Sequence, residues 1–172
     1  MYKVLLILTL LISVPAYAEN TVNCTETDGK KFCVDEKNQP ITGKIVMKYD
    51  NGFTKSLENL KNGYRNGLVT EYTENGLLDN RTYYKMGVKN GISKSYHGNR
   101  NIKIRSDYQD GLLNGVTEIY ASDGNLAGKA QYKKGKLKSA YCTQGKKHRR
   151  VNFSFFDIEN FGFNQLVTCG QQ

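Results

Sequence analysis

Hydrophobic and polar positions alternate cleanly over residues 77–84, LLDNRTYY. Leu78, Asn80, Thr82 and Tyr84 fall on one side of an extended chain, and Leu77, Asp79, Arg81 and Tyr83 on the other. The pattern returns 24 and 48 residues later, where the first set becomes Ile102, Ile104, Ser106 and Tyr108 and then Leu126, Gly128, Ala130 and Tyr132. The second set becomes Asn101, Lys103, Arg105 and Asp107 and then Asn125, Ala127, Lys129 and Gln131. A period of two predicts strands, with the first set on an apolar face and the second on a wet one.

Glycines and tyrosines keep the same step. Gly43, Gly67, Gly91 and Gly115 form one column, and Gly63, Gly87, Gly111 and Gly135 a second. Tyr72, Tyr96 and Tyr120 form a third, and Tyr84, Tyr108 and Tyr132 a fourth. A mid-unit glycine recurs as Gly52, Gly76 and Gly124, with Arg100 in its place in one copy. Columns in step without a gap define a repeat, with units over 43–66, 67–90, 91–114 and 115–138. Each unit reads as two strands joined near the mid-unit glycine, and the Asn66-Gly67 and Asn90-Gly91 steps read as the start of each new hairpin.

Turn length sets the register. A three-residue loop over 74–76, with Gly76 left-handed, pairs Tyr72 with Leu78 and groups Leu68 and Tyr72 with Tyr84. A two-residue loop pairs Tyr72 with Asp79 instead. The first gathers one apolar face and is the reading adopted.

The fold class that follows is all-β: an antiparallel β-hairpin repeat array with a 24-residue period and about four units. About eight strands at ~4.8 Å make a single-layer meander sheet roughly 35 Å long. Its two open ends invite pairing with other chains unless something covers them. Residues 19–40 and 139–172 are the candidate N-terminal and C-terminal caps around the repeat region 41–138. The second holds five of the seven phenylalanines, Phe153, Phe155, Phe156, Phe161 and Phe163. Burial in a cap explains them, and a ligand pocket is the alternative.

Four cysteines, Cys24, Cys33, Cys142 and Cys169, sit toward the two ends and allow three connectivities in an oxidising compartment. Their clustering favours Cys24–Cys33 and Cys142–Cys169, one staple per cap. No CxxC spacing occurs and only His97 and His148 could assist, so no metal is expected. Residues 1–18 carry Lys3, an apolar run over 4–14 and then Ala16-Tyr17-Ala18, the layout of a secretory signal cut after Ala18. That run is shorter than the roughly 20 residues a spanning helix needs. An exported protein, periplasmic or secreted, is expected.

The units have the form G-x-x-x-x-Y-x-x-x-G, followed by a strand ending in Tyr and a K-x-G-x-x-N-G link. NGLVTEYTENG (66–76), YYKMGVKNG (83–91) and NGVTEIYASDG (114–124) with YKKGK (132–136) resemble the variant MORN repeats of bacterial proteins. The resemblance covers about residues 41–138 and implies an antiparallel hairpin array. For function it implies either the YwqK-type antitoxin label of many bacterial members or the membrane-associated and scaffolding roles described for MORN arrays elsewhere. The leader and the end-placed cysteines set this chain apart from cytoplasmic antitoxins. Likeness of fold is only an associational warrant for function.

The formal net charge of +9 is unevenly spread. Residues 41–140 hold 17 Lys/Arg against nine Asp/Glu, and GKKHRR at 145–150 adds four more cations. Such a surface favours anionic lipid headgroups, phosphate-bearing glycans or acidic proteins, against the plain alternative of a solvated face. Arg81, Arg105 and Lys129 form a basic column, with Lys55 and Lys103 two residues earlier in their strands. Glu71 could reach Arg81 diagonally, but its equivalents are Ser95 and Ile119, so a basic ladder without a repeated acid is expected. This ladder and the tyrosines Tyr72, Tyr96, Tyr120, Tyr84, Tyr108 and Tyr132 are the candidate binding residues. The GKKHRR stretch is either a second anionic contact or a solvated loop.

Catalytic signatures are missing. No HExxH, P-loop, strand-to-helix GxGxxG or carboxylate pair at a repeated offset occurs. The chain also lacks Trp, on which choline- and glucan-binding repeats typically depend. No cofactor and no nucleic acid are expected. The sequence points to an exported, non-catalytic binding or scaffold module for a protein or an acidic envelope surface. A toxin-neutralising immunity protein is the second reading, and an enzyme with its site in the C-terminal cap the third.

Overall fold

The computed structural model describes residues 22–144 and 147–150. The expected signal segment, the Cys142–Cys169 pairing and the phenylalanine-rich part of the C-terminal cap lie outside the described residues. The described chain is all-β, one antiparallel sheet of 13 strands. They are β1 (Asn23–Thr27), β2 (Lys30–Val34), β3 (Gly43–Lys48), β4 (Thr54–Lys61), β5 (Tyr64–Arg65), β6 (Gly67–Tyr72), β7 (Leu78–Lys85), β8 (Val88–Tyr96), β9 (Ile102–Gln109), β10 (Leu112–Tyr120), β11 (Leu126–Lys133), β12 (Lys136–Gln144) and β13 (Lys147–Arg150). From β6 to β13 each strand pairs with the next in sequence, as a hairpin repeat requires.

Two kinds of turn alternate. Asn62-Gly63, Met86-Gly87, Asp110-Gly111 and Lys134-Gly135 have positive φ at both residues, for example 47° and 84° at Met86-Gly87. That is the mark of two-residue type I′ turns, whose twist matches the strands they join. At the other margin lie the mid-unit loops. There the Gly76 amide donates to the Thr73 carbonyl and Tyr72 lies opposite Leu78, the three-residue register read from the sequence.

The Asn66-Gly67 and Asn90-Gly91 steps begin the hairpin pairing as read from the sequence, Gly67 opposite Tyr84 and Gly91 opposite Tyr108, but neither step is itself a turn. Gly67 opens β6 and Gly91 lies inside β8. The asparagine at this step also holds a neighbouring turn. Asn66 Oδ1 accepts the Met86 amide at 3.2 Å, and Asn114 Oδ1 accepts the Lys134 amide at 3.0 Å. Each therefore brackets the type I′ turn of the following strand pair. The glycine serves a break in register, since β10 pairs Leu113 with Tyr108 and then Thr117 with Ser106. At Gly115, φ is 130° and a Cβ would stand 2.8 Å from the Asp107 Cβ, so a side chain is excluded twice over.

Cross-strand pairing also corrects the face of the first strand. Val69 opposes Thr82, whereas Leu68 opposes Tyr83, so Val69 joins the buried face and Leu68 does not share it with Tyr84. Along that face Ile45 opposes Glu58, and Val69, Thr82, Ser93, Ser106, Thr117, Ala130 and Ala140 oppose one another in succession. The expected apolar face is therefore a row of small and hydroxylated residues at its centre. The hydroxyls satisfy each other, with Thr82 Oγ1 to Ser93 Oγ at 2.8 Å and Thr117 Oγ1 donating to Ser106 Oγ at 3.1 Å. Tyr132 packs with Ala130 and Ala140, a large ring beside two methyl groups.

The ends differ from the expected caps. Cys24 and Cys33 are disulfide-bonded, as read from the sequence, and stand opposite each other in the β1–β2 hairpin. This hairpin joins the sheet sideways, through Phe32 opposite Tyr64 and the Cys33 amide on the Gly63 carbonyl. It does not add a strand outside β3, whose only ladder partner among the described residues is β4. Lys44 and Lys48 on β3 discourage further pairing at that edge. At the other end the sheet continues past residue 138, because β12 runs to Gln144 and β13 pairs with it.

Candidate functional site

On the face opposite the buried row, one line of residues crosses the sheet. It reads Val46, Leu57, Thr70, Arg81, Lys94, Arg105, Glu118, Lys129 and Tyr141, each opposing the next. Strand alternation places all of them on the wet side, since Glu58, Thr82, Ser106 and Ala130 beside them are buried. The line begins apolar, with Val46 58% and Leu57 40% exposed, and then becomes cationic.

Arg81, Lys94 and Arg105 are direct neighbours with no acid in the line between them. Like charges opposed across strands oppose folding, so this triplet does not stabilise the sheet by its own contacts. Arg81 has Thr70 and Lys94 across its two ladders and forms no ion pair among the described residues. Arg105 is different: it meets Asp107 at 3.1 Å and Glu118 at 3.7 Å, and Glu118 also lies 3.9 Å from Lys129.

The expected acid-free ladder is therefore corrected at two of its three positions. The partner column is Thr70, Lys94 and Glu118, one residue before the column counted in the sequence, so Glu71 faces the other way and meets Arg65. Lys94 is the residue that the sequence reading missed. Lys103 lies two residues before Arg105 in β9.

The two tyrosine columns do not share a face. Arg65 lies 5.2 Å from the centre of the Tyr84 ring and Lys89 5.0 Å from that of Tyr108, while Tyr132 is buried with Ala130. Burial raises the phenol pKa of Tyr84, and that of Tyr132 is pushed up to about 12 by burial and by Tyr108. Tyr120 instead donates its hydroxyl to Glu118 on the charged face; burial and that carboxylate raise its pKa. Register breaks between Glu71 and Tyr72, Ser95 and Tyr96, and Ile119 and Tyr120 are the cause. Two residues of one strand oppose a single tyrosine there, and simple alternation fails. Tyr72 lines a cleft of about 400 Å3 with Phe53, Thr54, Leu57, Asn75 and Gly76, next to the apolar end of the line.

Across the sheet, Glu58 is 2% exposed under the β1–β2 hairpin. Its carboxylate accepts from Lys31 Nζ and Ser56 Oγ, both at 2.8 Å, and from Arg65 Nε and Nη2 at 2.9 and 3.0 Å. Burial works to raise its pKa, but these donors outweigh it and hold the carboxyl at about 2. A carboxylate so fully engaged is a clamp rather than a proton carrier at neutral pH.

No family model matches this chain, and no curated protein matches it. What the fold and site define is a class: a hairpin-repeat sheet with a small-residue buried row on one face and a part-apolar, part-cationic line on the other.

Proposed function

We propose that this chain is an exported, non-catalytic binding or scaffold module of MORN type, and that its wet face takes an acidic protein or envelope partner. The observation that supports this most is the Arg81–Lys94–Arg105 triplet, three cations set side by side at a cost to the sheet. A solvated face kept only for solubility has no need to place its cations in contact order. The cleavable leader read at 1–18 and the Cys24–Cys33 disulfide support an oxidising compartment outside the cytoplasm.

The test is capture of partners from the native envelope by the mature protein, beside a triple variant Arg81→Ser, Lys94→Ser, Arg105→Ser. Flotation with anionic vesicles at low and high salt is run in parallel. Binding that weakens with salt and is lost in the variant supports the reading. Full binding by the variant sinks it.

A further inference from the structure

The line on the wet face has an order, and the order restricts the occupant. Leu57 and Val46 form its apolar end, beside the cleft of about 400 Å3 lined by Phe53, Leu57 and Tyr72. Two strand spacings further, past Thr70, comes Arg81; two more, past Lys94, lead to Arg105. At ~4.8 Å per strand and ~3.3 Å per residue of extended peptide, each of these intervals matches about three residues of a chain laid across the strands.

We propose that this face docks an extended acidic segment of a partner protein, with an apolar anchor in the Phe53–Leu57–Tyr72 cleft. A carboxylate about three residues beyond the anchor meets Arg81, and another about three residues further meets Lys94 and Arg105. This rests on the binding reading above and narrows it to one occupant. Charge complementarity carries the acidic part, because the Arg81–Lys94 step has no acid of its own in the line. The anchor rests on exposure: Phe53 is 53% exposed and Val46 58%, beside a concavity of side-chain size. A polyanion with evenly spaced charges has no group for that end, and a segment with an apolar residue ahead of its acids fills both.

The probe is a random peptide library displayed on phage and selected on the full mature chain. Enriched peptides are expected to place Leu, Phe or Met about three residues before the first of two or more acids. Arg81→Ser with Lys94→Ser should abolish the acidic preference while keeping the apolar one, and Leu57→Ser should do the reverse. A synthetic copy of the enriched peptide should bind either variant about tenfold more weakly than the parent. All these side chains are surface positions, and circular dichroism of each variant confirms that the sheet is intact.

Enrichment of acids without an ordered anchor overturns the proposal, as does ordered enrichment unchanged by both variants. Heparin or anionic vesicles binding through Arg81 and Lys94 with no ordered peptide would overturn it too, yet leave the binding-module reading standing. Dimerisation abolished by the same substitutions would assign the face to a second copy of the chain and likewise overturn it. No binding in any arm removes both.

Discussion

Glu58 occupies the position that Thr82, Ser106 and Ala130 fill in the later units, and it is the one carboxylate among them. Its folded pKa of about 2, against an ordinary 4.5, fixes the sign of its pH effect. The charged form is favoured in the fold, so its contribution is complete above pH 4.5 and fades as pH falls toward 2, a difference of about 3 kcal/mol. Glu58→Gln should cost roughly 3 kcal/mol at pH 7, because Arg65 and Lys31 are left partly buried without their counter-charge. Urea unfolding of the two proteins from pH 7 to pH 2.5 checks this: the gap should shrink with acid, and a constant gap would contradict the assignment. Met86 offers the opposite case. It sits left-handed at φ 47° in its type I′ turn and is 42% exposed, so Met86→Asn should raise stability by about 0.5–1 kcal/mol, read as a higher melting temperature.

Turns, strands and staples were unequally legible in the sequence. The 24-residue period could be read because columns of identical residues report it directly, the three-residue loop at Gly76 because it alone gathers an apolar face, and the Cys24–Cys33 pair because the cysteines cluster at the two ends. Two of the four type I′ turns were hidden because Met86 and Lys134 stand where Asn or Asp, as at Asn62 and Asp110, usually announces such a turn. The same dipeptide, Asn-Gly, meanwhile marks a loop at 75–76 and a strand bracket at 66–67. Lys94 escaped because the register breaks beside Tyr72 and Tyr96 move the partners of Arg81 and Arg105 from Glu71 and Ser95 to Thr70 and Lys94. Two expectations follow for elements. Asn114→Ala should cost roughly 0.5–1 kcal/mol by freeing the Lys134 amide, and Asn114→Asp, which keeps the oxygen, should cost less; thermal melts of both decide. Replacing Cys24 and Cys33 by alanine should lower stability by about 2–3 kcal/mol. Because the hairpin joins sideways, native-state hydrogen exchange should show β1 and β2 opening while β7 to β11 stay protected. Uniform loss of protection would mean that the hairpin nucleates the whole sheet.

A molecule built this way is close to one-dimensional, each unit resting on its neighbours. Removing residues 91–114 should therefore leave a folded, shorter sheet, in which Arg81 opposes Glu118 in place of Lys94. Circular dichroism should report retained strand content, and binding of acidic probes should fall because the cation triplet is gone. A deletion one residue longer or shorter should fail to fold, since every side chain beyond the junction would change face. The sheet's own geometry adds a last consequence. Neighbouring strands rotate by roughly 20–25°, so from Leu57 to Arg105 the four strand steps accumulate on the order of 90°. The line of contact is thus a segment of a screw, and a flat bilayer can lie against only part of it at once. A ligand that touches both the greasy end and all three cations has to wind, with one hand and not the other, so the face should discriminate between a peptide and its mirror image.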